Sequence, residues 1–100
     1  MSANWYNYKF YFKSPEDYRI LNQKLAGCNN KKIITKLQLD HVINKKEEFI
    51  QEIRLNKKYF QIYLQTQPSA ELNDALMLAL SPFGCEFVHI HIYYEHVGEE

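Results

Sequence analysis

At 100 residues the chain is expected to form one domain over 1–100, large enough to bury roughly two thirds of its unfolded surface without metal or disulfide staples. Two cysteines, Cys28 and Cys85, exclude a disulfide framework. The lack of any run of about 18 apolar residues, or of a basic segment leading into an apolar one, argues against a membrane span or secretory leader, so a soluble cytoplasmic protein with reduced thiols is expected. A formal net charge of zero argues against indiscriminate affinity for nucleic acid or anionic membrane. The charge is lopsided, however. All 12 Lys and Arg lie at or before Lys58 with six acidic residues, and the remainder holds six acidic residues and no Lys or Arg, a pattern that permits a dipolar surface.

The first predicted element is a strand, Trp5 to Phe12. At the two-residue period of a strand, Tyr6, Tyr8, Phe10 and Phe12 fall on a core face and Trp5, Asn7, Lys9 and Tyr11 on the other. Ser14-Pro15-Glu16-Asp17 then reads as a helix start, with a capping serine, proline at the first helical position and acids at the positive end of the dipole. Tyr18, Leu21, Leu25 and Cys28 recur at helical spacing, with Ile20 beside them, and Gly27 with Asn29-Asn30 supplies the stop. Ile33, Thr35, Leu37 and Leu39 alternate with polar residues, but Asp40 to Lys46 has no clear period. The stretch at about 29–47 therefore reads as an irregular insertion carrying at most an extra strand.

From Glu48 to Leu55 the pattern alternates again, with Phe49, Ile53 and Leu55 on one side and Ile50, Glu52 and Arg54 on the other. Asn56-Lys57 is a turn candidate. The returning strand, Lys58 to Thr66, directs Phe60, Ile62 and Leu64 inward and leaves Tyr59, Gln61, Tyr63 and Gln65 opposite. Pro68-Ser69 opens a second helix whose buried stripe is Leu72, Ala75, Leu76, Ala79 and Leu80, widened by Met77 and Leu78, and Ser81-Pro82-Phe83-Gly84 ends it. The last strand, Cys85 to Glu95, is expected to place Val88, Ile90, Ile92 and Tyr94 inward and Phe87, His89, His91 and Tyr93 outward.

This order predicts an α+β, ferredoxin-like βαββαβ fold: a four-stranded antiparallel sheet with two helices on one face. The first and third strands would be central, with the fourth beside the first and the second beside the third. The open face of that sheet would carry Trp5, Lys9, Tyr11, Tyr59, Tyr63, His89, His91 and Tyr93, which are the candidate partner-binding residues. Tyr, Trp and His with few lysines is the composition of interface centres, because aromatics bury much area at low entropic cost. A protein partner, either another copy of the chain or a different protein, is therefore the first reading. The alternative is a nucleic-acid-binding module or regulator, in which Tyr11, Tyr59 and Tyr63 stack bases and Lys9 and Arg54 contact phosphates. The third strand lacks the glycines of the RNA-recognition signature.

His89-x-His91 puts two imidazoles on one strand face, but the sequence offers no obvious further ligand, and a structural or interface pair is the reading; no metal or cofactor is expected. The doublets Lys31-Lys32, Lys45-Lys46 and Lys57-Lys58 read as solvated loop tips, with a phosphate or acidic-protein contact as the other reading. No Gly-rich phosphate loop, G-x-S-x-G or H-E-x-x-H occurs, so the chain is read as not an enzyme.

Met1-Ser2-Ala3-Asn4-Trp5, followed by a strand and a helix, resembles the opening of a family of small ferredoxin-like proteins of phages and plasmids that begin Met-x-Asn-Trp-Cys. Asn30-Lys31-Lys32-Ile33-Ile34, Thr66-Gln67-Pro68-Ser69 and Tyr93-Tyr94-Glu95 are similar in the same order, whereas Tyr6 stands where the family has cysteine and Tyr8 where it has asparagine. The family is of unknown function, so the resemblance implies a mobile-element origin and no catalytic residues. It leads to the expectation of a host-cytoplasmic inhibitor of a defence system, of anti-CRISPR type, that binds and occludes a defence nuclease or effector complex. The surface doing so would be the aromatic face or an acidic one, with Glu71, Asp74, Glu86, Glu95 and Glu99 imitating phosphates.

Overall fold

A computed structural model describes the backbone of residues 2–96 and the side chains of 5–85 other than Glu47. Strand β1 spans Ser2–Phe12, helix α1 Pro15–Leu25, helix α2 Asn30–Lys36, strand β2 Ile50–Leu55, strand β3 Tyr59–Leu64, helix α3 Ala70–Leu80 and strand β4 Cys85–His96. Single 3-10 turns at Glu47–Phe49 and Ser81–Phe83 precede β2 and β4. Antiparallel β2, β3 and β1 form the part of the sheet whose side chains are described, and the backbone of β4 runs antiparallel along the free edge of β1, giving the order β2-β3-β1-β4.

The expectation of a two-helix, ferredoxin-like βαββαβ fold is corrected by α2. The expected irregular insertion opens with a helix, so the chain runs βααββαβ with three helices. The physical reason lies in residues that fit two periods. Ile33, Leu37 and Leu39 alternate with polar residues, but Ile33, Ile34 and Leu37 also recur at the i, i+1, i+4 spacing of a helix face, and all three are buried. Asn29 decides between them, because its side chain accepts from the Lys32 amide at 2.9 Å and caps the turn. The Asn29-Asn30 pair thus starts α2, while α1 has already ended at Gly27, whose φ of 73° is the left-handed conformation that stops a helix.

The other helices follow their sequence signals. Ser14 and Ser69 cap α1 and α3 by accepting from the amides of Asp17 and Leu72. Leu21 and Leu25 of α1, Ile33 and Ile34 of α2, and Leu72, Leu76 and Leu80 of α3 join Tyr6, Tyr8, Phe10, Phe60, Ile62 and Leu64 in one core on one side of the sheet. Three local expectations are corrected. Ile50 is buried, because a β-bulge between Ile50 and Glu52 inserts one residue and brings Ile50 to the side of Ile53 and Leu55. Leu78 does not extend the buried stripe of α3 but is 77% exposed. The hairpin turn falls on Lys57-Lys58, because the Asn56 carboxamide accepts from both the Lys58 and Tyr59 amides and holds Asn56 opposite Tyr59.

Candidate protein-interaction face

Alternation along β1 and β3 puts every second residue on the side of the sheet away from the helices. Because Tyr11 pairs with Tyr59, Lys9 with Gln61 and Asn7 with Tyr63, these six side chains form a continuous patch with Trp5 at one end. On the outer side of β3, Gln61 pairs with Arg54 and Tyr63 with Glu52, where the Glu52 carboxylate accepts from the Arg54 guanidinium and raises its pKa.

The patch has a dry centre and an aromatic rim. Asn7 and Gln61 are each only 4% exposed, whereas Trp5, Lys9, Tyr11, Tyr59 and Tyr63 are partly exposed around them. Asn7 has Trp5 and Lys9 two residues away and Tyr63 across the ladder, and Gln61 has Tyr59 and Tyr63 two residues away and Lys9 across it. The Oδ1 atom of Asn7 is buried without a hydrogen-bond partner, which costs about 1–3 kcal/mol when a strand would accept a valine at the same place. At the other end, the Tyr11 and Tyr59 rings meet edge to face at 5.5 Å and 66°, and the Lys9 ammonium sits 4.7 Å from the Tyr59 centroid. These contacts hold Lys9, Tyr11 and Tyr59 against one another before any partner arrives, which lowers the entropy lost on binding there.

The structure therefore brings Trp5, Lys9, Tyr11, Tyr59 and Tyr63 onto one surface. The side chains of His89, His91 and Tyr93 lie outside the described residues, as do the expected orientations of the other β4 side chains and the metal reading of His89-x-His91. Backbone pairing sets His89 opposite Lys9, His91 opposite Asn7 and Tyr93 opposite Trp5. Sequence reasoning missed the burial of Asn7 and Gln61. For Gln61 the available signal was its place between Tyr59 and Tyr63 at i±2 on a central strand, and for Asn7 it was Trp5 at i−2 with Tyr63 across the ladder.

Elsewhere, the Tyr8 hydroxyl donates to the Thr66 carbonyl at 2.8 Å, and burial raises its pKa well above the ordinary value. Burial, with the nearby Asp17 charge, pushes the Cys85 thiol from 9.0 to about 12. Both are core groups held protonated. Among the described residues no cluster of His, Cys, Asp and Glu could hold a metal ion, and no helix is long and apolar enough to cross a membrane. No family model matches the chain, and no curated protein or solved structure matches it.

Proposed function

We propose that this chain is a non-enzymatic interaction protein that binds a protein partner through the β1–β3 face away from the helices. The observation that carries this reading is the patch itself: Trp5, Lys9, Tyr11, Tyr59 and Tyr63, all partly exposed, lie together on one face of β1 and β3. Partly exposed Tyr and Trp side chains grouped on one face are the composition of an interface centre, where aromatics contribute most of the affinity. Base stacking is the weaker use of this face, since Lys9 and Tyr11 both pack against the Tyr59 ring.

The resemblance of the opening residues to phage and plasmid proteins directs the choice of partner. The reading takes it to be a host defence nuclease or effector complex that the protein occludes in the host cytoplasm. Tagged protein is used to capture partners from a bacterial lysate with and without nuclease treatment. The expected result is a specific protein retained after nuclease and reduced at least tenfold by Tyr63→Ala or Tyr11→Ala, as for interface hot spots. Undiminished capture by folded tyrosine variants would remove the face from consideration, and recovery that vanishes with nuclease would turn the assignment to nucleic acid.

A further inference from the structure

Five of the lysines of residues 24–46, Lys24, Lys31, Lys32, Lys36 and Lys45, end up around the exposed side of α2. That segment holds six lysines and one carboxylate, Asp40. On α2, successive residues advance by about 100°, so Lys31, Lys32, Thr35 and Lys36 occupy one exposed sector while Ile33, Ile34 and Leu37 face the core. The Lys36 ammonium donates to the Lys24 carbonyl at 3.1 Å, which brings the end of α1 beside this sector. From the other side the Lys45 ammonium donates to the Thr35 hydroxyl at 3.4 Å and pairs with Asp40 at 3.5 Å. Among the described residues no carboxylate pairs with Lys24, Lys31, Lys32 or Lys36.

We propose that the exposed sector of α2, with Lys24 and Lys45 at its flanks, is a second binding surface that takes the phosphodiester backbone of a nucleic acid without reading its sequence. It is separate from the aromatic face and independent of the function proposed for it. The exposed α2 side chains are three lysines and a threonine, with no aromatic or aliphatic anchor among them. An acidic peptide would need such an anchor to gain more than weak charge pairing. A phosphate backbone needs only spaced point charges and small donors, and lysine supplies compact ones. The sector also lacks groups that could stack on or pair with bases, so affinity is electrostatic and does not depend on sequence.

The test is fluorescence anisotropy of the full chain with a labelled 20-base-pair DNA duplex of arbitrary sequence, with a single strand of equal length in parallel to show which form is preferred. With about five phosphates neutralised, affinity is expected to fall about 500-fold between 50 and 200 mM salt; for the triple variant Lys31→Gln/Lys32→Gln/Lys36→Gln, with about two left, it falls only about 12-fold. Scrambling the sequence leaves the curves superimposed. The double variant Lys57→Gln/Lys58→Gln, at the hairpin tip, removes charge elsewhere and is expected to stay within about twofold of the unmodified chain. Circular dichroism confirms folding of each variant. An unchanged salt slope in the folded triple variant, equal losses from the hairpin variant, or polyglutamate competing as well as DNA at equal charge concentration would each overturn the proposal, the last in favour of an acidic protein.

Discussion

Replacing Asn7 by valine separates what the β1–β3 face does for the fold from what it does for a partner. Asn7 is 4% exposed, and its Oδ1 atom is buried without a hydrogen-bond partner. An unsatisfied buried acceptor costs about 1–3 kcal/mol, and asparagine is also a poor strand residue on a scale that spans about 1 kcal/mol. Valine removes both penalties and is only slightly larger, so part of the gain goes to adjusting Tyr63 across the ladder. The expected net effect is stabilisation by about 1–2 kcal/mol, read as a rise of about 1 M in the urea midpoint at an unchanged slope. Partner capture is expected to be retained in the same variant, because the buried Oδ1 atom is closed to a donor arriving from outside. Asn7→Asp, which leaves a carboxylate in the same dry site, is expected to destabilise the fold by several kcal/mol. If Asn7→Val destabilises the protein by 1 kcal/mol or more, the amide is satisfied in the folded chain and the argument from its unpartnered oxygen fails.

Two glycines with the same backbone conformation make a matched pair. Gly27 and Gly84 have φ of 73° and 71°, but a Cβ on Gly27 meets nothing within 4 Å, whereas one on Gly84 runs into the Asp17 carboxylate. Gly27→Ala should cost about 1 kcal/mol for its left-handed backbone, and Gly84→Ala about 2–3 kcal/mol, since Asp17, which accepts from the Ser14 hydroxyl at 3.1 Å, must also move. Asp17→Ala in the Gly84→Ala background is expected to recover about 1 kcal/mol, and equal losses at the two glycines by urea denaturation would refute the contact. Alkaline unfolding tests the buried acids. Cys85 and Tyr8 both have folded pKa values raised above the unfolded ones, so the folded state retains protons that the unfolded state loses, and the stability they contribute is complete below about pH 9 and declines above it. The Cys85 contribution falls by up to about 1.4 kcal/mol per pH unit between 9 and about 12. Cys85→Ala is expected to flatten the decline from pH 9, and Tyr8→Phe the part above pH 10; unchanged profiles in both variants would contradict the assignment.

The strands and the two longer helices are legible because one signal dominates each. Tyr6, Tyr8 and Phe10 alternate without ambiguity and are buried, and Ser14-Pro15 and Pro68-Ser69 announce α1 and α3. Helix α2 was hidden because Ile33, Leu37 and Leu39 satisfy a strand period as well as Ile33, Ile34 and Leu37 satisfy a helical one, and Asn29-Asn30 serves equally as a stop and a cap. Ile50 was assigned to the wrong face because a bulge shifts every earlier residue by one without changing composition. The candidate face was legible in outline, since Trp5, Lys9, Tyr11, Tyr59 and Tyr63 follow from period two and strand pairing. Its dry centre was not, because the burial of Asn7 and Gln61 depends on neighbours that only register brings together. Likewise, the lysine doublet at 31–32 looks like a loop tip until α2 aligns it with Lys36.

The central claim is that the β1–β3 face is the protein interface, and site-specific photo-crosslinking tests it most directly. A photoreactive phenylalanine is placed in turn at Tyr11, Tyr59 and Tyr63 on the face, and at Ile20 and Leu78, two exposed large apolar positions on the helices. After nuclease-treated capture from a bacterial lysate and irradiation, adducts with one captured protein are expected from the three face positions and not from the two helical ones. Adducts from Ile20 or Leu78 alone, with the captured protein present and the face positions silent, would contradict the account and move the interface to the helical side.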